Sequence, residues 1–224
     1  MTKLTDNKSN LFSVTNHGTG QAILFIHGNS LSSKSFAKQL DAPILQKYNI
    51  TAIDLPGHGN SQNSTNPSKT YSVTGFAKEV SEFIKSKFNE PIVLVGHSLG
   101  GHIALEITPM LSNIKGIVMF GTQPLGKPPE VGKAFLPNPS MALAFKGEVN
   151  EKEALEMCKG FIGHTNKIPK EFVQDILNTD KMMRPKLGES FGLENFVDEI
   201  KIVQNLKIPV AIFNGEKDGL LNFE

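Results

Sequence analysis

At 224 residues, with 39% hydrophobic and 20% charged residues and a net charge of +1, the chain is sized for one globular domain, or one domain whose insertion buries a small core of its own. It carries no Lys/Arg block of the kind that nucleic acid or an anionic membrane would attract, so the expected partner is a small molecule. The lone Cys158 cannot form an internal disulfide, "MTKLTDNKSNLF" offers no apolar signal segment, and no apolar run approaches the ~20 residues of a membrane span, which together suggest a soluble cytoplasmic protein.

Taken in chain order, strand-like apolar runs occur at "QAILFIHG", "NITAIDLPG", "PIVLVGHS", "IKGIVMFGT" and "IPVAIFNG", each closed by Gly, Pro, Asp or Asn. Helix-period segments separate them. In "YSVTGFAKEVSEFIKSKF", Phe76, Val80, Phe83 and Ile84 share one helical face and Lys78, Glu79, Glu82 and Lys85 fall largely on the other. Strands without alternation that alternate with helices predict an α/β chain with a mostly parallel, doubly wound sheet. The pair Gly18 and Gly20 precedes a strand, so it reads as a turn and not as a nucleotide loop. From Pro124 to about Gly192 the alternation stops. Five of the thirteen prolines lie in residues 124 to 139, and "EKEALEMCKGF" and "KEFVQDILNTDKMM" read as helices. The expected organisation is a core over 1–123, an inserted helical cap over 124–192 and a second core part over 193–224, entered by the helix "LENFVDEIKIVQNL".

Ligands of an open parallel sheet bind beyond the carboxyl ends of its strands. After "PIVLV" stands Gly96-His97-Ser98-Leu99-Gly100, followed by Gly101 and the helix-like "HIALEI". Such a G-x-S-x-G arises by chance in roughly one chain of this length in a dozen, but its place between a buried strand and a helix marks Ser98 as a nucleophile held on a strained turn. The start of the following helix favours developing negative charge. The amide of Leu99 and one from His27-Gly28-Asn29, taken as Asn29, would form the oxyanion hole. The orienting acid belongs after a later strand, at Asp218, with Glu216 as its rival and a plain turn-forming role as the alternative for Asp218. Asp54 and His58 read as organisers of the "DLPGHGNS" loop and His102 as a packing residue. His27 and His97 flank the crevice and are candidates to line the substrate pocket, with bonding to the backbone as the alternative. No His or Cys pair has metal-ligand spacing, and no cofactor is expected.

These residues resemble the α/β-hydrolase superfamily through "FIHGNS", "AIDLPGHGNS", "VLVGHSLGGH" and "VAIFNGEKD", over essentially the whole chain. Within it the sequence is similar to serine-dependent N-acyl-homoserine lactone hydrolases, through "IHGNS", "LPGHG" and "SLGGHI" and, in the cap, "GTQP", "EVGKAF" and "MALA". The resemblance implies a quorum-quenching lactonase that opens the ring of bacterial signalling molecules, with Ser98, Asp218, Asn29 and Leu99 on functional positions. His97 departs from the aromatic residue found at its place in such lactonases. Met141, Leu143, Phe145, Met157 and Phe161 are candidates to line an acyl slot under the cap. The family pattern also calls for a histidine after one further strand. All six histidines, at 17, 27, 58, 97, 102 and 164, precede Asp218, and only His164 lies outside the motif loops. The expectation is therefore a C-terminally truncated enzyme, short of a last strand, a last helix and its general base, and nearly inactive as it stands. A general carboxylesterase, another reaction on the same scaffold and a binding module that lost its base are the alternatives.

Overall fold

The computed structural model describes residues 2–5, by backbone alone, and 11–162, 167–192 and 197–222. Its strands are β1 (Thr2–Thr5), β2 (Phe12–Thr15), β3 (Ala22–Ile26), β4 (Asn49–Ile53), β5 (Ile92–His97), β6 (Ile114–Phe120) and β7 (Val210–Phe213). They form one sheet in the order β1-β2-β4-β3-β5-β6-β7. From β4 to β7 all neighbours are parallel, while β1 and β2 add an antiparallel hairpin beside β4. The five apolar runs of the sequence are the five parallel strands. The hairpin carried no comparable signal, because a four-residue strand is too short to display a period.

The helices are α1 (Ala37–Asp41), α2 (Pro67–Thr70), α3 (Val73–Lys87), α4 (Leu99–Ile107), α5 (Val131–Ala134), α6 (Pro139–Leu143), α7 (Glu151–Ile162), α8 (Lys170–Asn178), α9 (Met183–Ser190) and α10 (Glu199–Asn205). Helix α3 starts where the Ser72 hydroxyl accepts from the Gly75 amide, a cap worth about 1 kcal/mol. Its Phe76, Val80, Phe83 and Ile84 are fully buried against the sheet, and each such side chain contributes roughly 1.5–3 kcal/mol. On β3, Leu24 and Ile26 join this core while Phe25 faces the opposite one with Phe36, Ile50 and Val95. The strand is apolar throughout because both its faces are covered.

Between β6 and β7 no strand occurs among the described residues, only one antiparallel bridge from Phe135 to Leu221. Ala154, Met157, Cys158 and Ile176 of α7 and α8 form a separate small core. Met183 and Leu187 of α9 pack instead into the main core, so the segment is seated on the sheet at its C-terminal side. The first part of "LENFVDEIKIVQNL" includes residues 193–196, outside the described ones; the helix itself runs over Glu199–Asn205. Strand β7 forms one edge of the sheet, and its Ile212 and Phe213 are exposed. Among the described residues no helix is long and apolar enough to cross a membrane.

Candidate active site

Ser98 stands between the end of β5 and the first turn of α4 with φ 51° and ψ −119°. A side chain in this left-handed region is strained, and only its surroundings can hold it there. They do so through the Ser98 amide, which donates to the Phe120 carbonyl at 3.0 Å, and the Ser98 carbonyl, which accepts from the Gly101 amide at 2.8 Å and the Thr122 hydroxyl at 2.9 Å. The glycines are needed for space. A Cβ on Gly96 would lie 2.3 Å from the Gly100 carbonyl oxygen, and one on Gly100 only 2.1 Å from that of Ile26. The motif therefore records the close approach of strand and helix that pushes the serine clear of the sheet.

Ser98 opens on a cavity of about 100 Å³. Gly28, Asn29, His97, Leu99 and Asp218 line it from the core, and Met141, Phe145 and Phe161 from the segment above. The backbone amides of Asn29 and Leu99 donate to no described residue, and both residues line the cavity. Asp218 reaches the same space while its Oδ1 accepts from the amides of Leu220 at 2.8 Å and Leu221 at 3.2 Å. It is thus both a turn organiser and a cavity residue. Glu216, its rival, is exposed and lines no part of the cavity.

Three expected pocket residues, Met157, Leu143 and His27, are not there. Met157 is fully buried in the core between α7 and α8, and Leu143 packs against that same cluster. Alternate helical residues of an amphipathic cap serve its own interior as readily as a slot. His27 is fully buried behind the cavity wall, its Nε2 accepting from the Leu55 amide at 3.0 Å and its Nδ1 donating to the Gly28 carbonyl at 2.8 Å. With both ring nitrogens engaged it is a brace for two loops. Burial lowers its pKa against the attraction of Asp54.

His97 does line the cavity, its ring stacked on Phe120 with centroids 5.0 Å apart and planes 21° from parallel. It thereby fills the place of a flat aromatic. Loss of hydration, reinforced by the nearby His27 and opposed by Asp218, lowers its pKa to about 4, so the ring is neutral at pH 7. Asp54 holds its loop through the amides of Ser33 at 2.7 Å and Asn60 at 2.8 Å. His58 donates from Nδ1 to the Pro56 carbonyl at 3.0 Å. His164 lies outside the described residues. No described side chain hydrogen-bonds to the Ser98 hydroxyl, and no group of three potential metal ligands occurs among them.

Sequence reasoning treated His102 as packing, yet it lines the cavity and forms an ion pair with the fully buried Glu199, Nδ1 to Oε2 at 2.9 Å. Its place four residues beyond Ser98 on one helix was the available signal. Nothing in the sequence pointed to Glu199. The loop after Asn29 also anchors the overlying segment. Asn29 Nδ2 donates to the Ala144 carbonyl at 2.9 Å, Ser30 donates to Asn29 Oδ1 at 2.7 Å, and the buried Arg184 donates to the Ser30 hydroxyl at 3.0 Å. Asp175 accepts from the Ser32 hydroxyl and from Lys34 Nζ. Arg184 has only neutral acceptors here, and burial lowers its pKa to about 10.

The family model described as alpha/beta hydrolase fold matches residues 21–222. An uncharacterized protein of Mycobacterium bovis is 36% identical over 89 residues, 40% of this chain and 25% of that protein. A pimeloyl-[acyl-carrier protein] methyl ester esterase of Stenotrophomonas maltophilia is 30% identical over 107 residues, 48% of this chain and 38% of that protein. The chain thus matches only about a quarter to two fifths of these curated relatives. Among solved structures, a complex of a serine-to-glycine variant of the N-acyl homoserine lactonase AidH with N-hexanoyl homoserine lactone has a TM-score of 0.91 at 29% identity, covering 99% of this chain and 80% of that one. AidH with N-butanoyl homoserine gives a TM-score of 0.90 at the same identity and coverage.

Proposed function

The chain belongs to the α/β-hydrolase family, and from that premise we propose that it is a serine hydrolase cleaving esters or lactones, with N-acyl homoserine lactones as its substrates. The observation that carries the reading is Ser98, held at φ 51° over a cavity that Asn29 and Leu99 also line, their amides donating to no described residue. The similarity to AidH supports the choice of lactone. Ser98 Oγ attacks the lactone carbonyl, the oxyanion is stabilised by the two amides, and the ring oxygen leaves as an alcohol that stays attached to the acyl group. Water then hydrolyses the acyl-enzyme. Each oxyanion donor is worth roughly a hundredfold to a thousandfold in turnover.

Asp218 is the acid of this reading and would orient a histidine base. Since no described histidine bonds to Ser98, the 224-residue chain by itself is expected to be slow; loss of a triad histidine costs on the order of a millionfold. That same observation favours a second reading, a binding protein that kept the cavity without the base. A fluorophosphonate probe applied to the protein isolated from its source separates the two. Covalent labelling that maps to Ser98 and disappears in Ser98→Ala supports the hydrolase, whereas unlabelled protein that still binds N-hexanoyl homoserine lactone supports the binder. Faster hydrolysis of simple aryl esters than of the lactone would move the substrate to general carboxylic esters.

A further inference from the structure

His102 sits one helical turn along α4 from Ser98 and shares its cavity. Nδ1 of His102 is taken up by Glu199, whose oxygens lie at 2.9 and 3.0 Å, and Glu199 is in turn fixed by accepting from the Leu125 amide at 2.8 Å. Nε2 has no hydrogen-bond partner among the described residues, yet it is not among the buried polar atoms sealed off without one. It is left facing the cavity. A buried imidazole with a carboxylate behind it and an open nitrogen in front is a fixed donor in the cavity that Ser98 shares.

We propose that His102 is a substrate-binding residue that donates from Nε2 to the carbonyl of an acylamino group on the carbon next to the scissile carbonyl, so that the site selects α-acylamino esters and lactones over plain ones. The proposal rests on the ester or lactone reading of Ser98. The apolar part of the cavity wall gives a donor beside it weight, while His97, which also lines the cavity, is stacked flat on Phe120. Met141, Phe145, Phe161 and Leu187 offer a second carbonyl nothing to bond with, and a substrate oxygen buried there without a partner loses its hydration uncompensated. Burial opposes a charge on His102, but Glu199, by charge and hydrogen bond, and then Glu106 outweigh it and raise the pKa, which strengthens the donor.

The test is binding by a Ser98→Gly chain, which measures recognition without turnover. N-hexanoyl homoserine lactone and the plain lactone γ-decalactone are titrated calorimetrically. His102→Leu is expected to weaken the acylamino lactone by about tenfold, the effect of losing a buried hydrogen bond, and to leave γ-decalactone unchanged. Because leucine alone would strand Glu199, the double variant His102→Leu/Glu199→Gln serves as a second form, in which the side-chain amide oxygen introduced in place of the carboxylate still accepts from the Leu125 amide. It should show the same selective loss. Equal weakening of both lactones, or of neither, overturns the proposal. If the Ser98→Gly chain binds neither lactone, the proposal and the lactone reading fall together, while fluorophosphonate labelling of Ser98 would leave the broader hydrolase reading standing.

Discussion

The turns that carry Ser98 and Asp218 line one cavity, yet they are built on opposite principles. The Ser98 turn is locked from all sides, with its backbone tied to Phe120, Gly101 and Thr122 and its glycines pressed against the carbonyls of Gly100 and Ile26. The Asp218 turn follows an edge strand whose Phe213 is 62% exposed. It is held by its own aspartate, by the Phe135 to Leu221 bridge and by bonds such as Leu136 amide to Leu220 carbonyl at 2.9 Å. Strain is stored where the fold can pay to keep it. The carboxylate sits where a small movement costs little.

The contrast can be broken most directly at Gly100. Gly100→Ala places a methyl group against the Ile26 carbonyl and should cost about 1–3 kcal/mol or more of stability, the usual range for overpacking, measured by denaturant unfolding. A second asymmetry is electrical. Burial pushes Glu106, on the helix that follows Ser98, up to about 7, with Glu199 adding to the shift. The folded state therefore keeps a proton that the unfolded state releases near pH 4.5, and this group's contribution to stability is lost as pH rises from about 4.5 through 7. Glu106→Gln should remove that fall from a stability profile taken across the window. If the profiles of the two proteins run parallel, Glu106 is not the group responsible. At the other turn, Asp218→Ala loses two amide contacts and should cost only about 1 kcal/mol. Glu216→Gln should fall within about 0.5 kcal/mol. A loss at Asp218 as large as that at Gly100 would show the second turn to be as rigid as the first.

The same contrast explains what the sequence made legible. Ser98, Leu99 and Asn29 could be read because tight backbone geometry demands glycine at fixed spacings, and Asp218 because it follows an apolar run. The five parallel strands were readable for the same reason, being buried on both faces. The edge hairpin was too short to show a pattern. Met157, Leu143 and His27 read as cavity residues and lie elsewhere, because an apolar or flanking residue does not reveal which of two interiors it faces. Glu199 was invisible, since its partner His102 lies 97 residues away and a pairing over that distance leaves no local trace.

The short loop from Asn29 to Lys34 does two jobs with neighbouring atoms. It offers the Asn29 amide to the cavity, and through Asn29, Ser30, Ser32 and Lys34 it grips Ala144, Arg184 and Asp175 in the segment overhead. Recognition and chemistry are therefore not separable modules in this protein. A graft that exchanged residues 124–192 to change specificity would also reset the loop whose Asn29 amide we propose as an oxyanion donor. Redesign would have to carry the loop and the roof across as one piece.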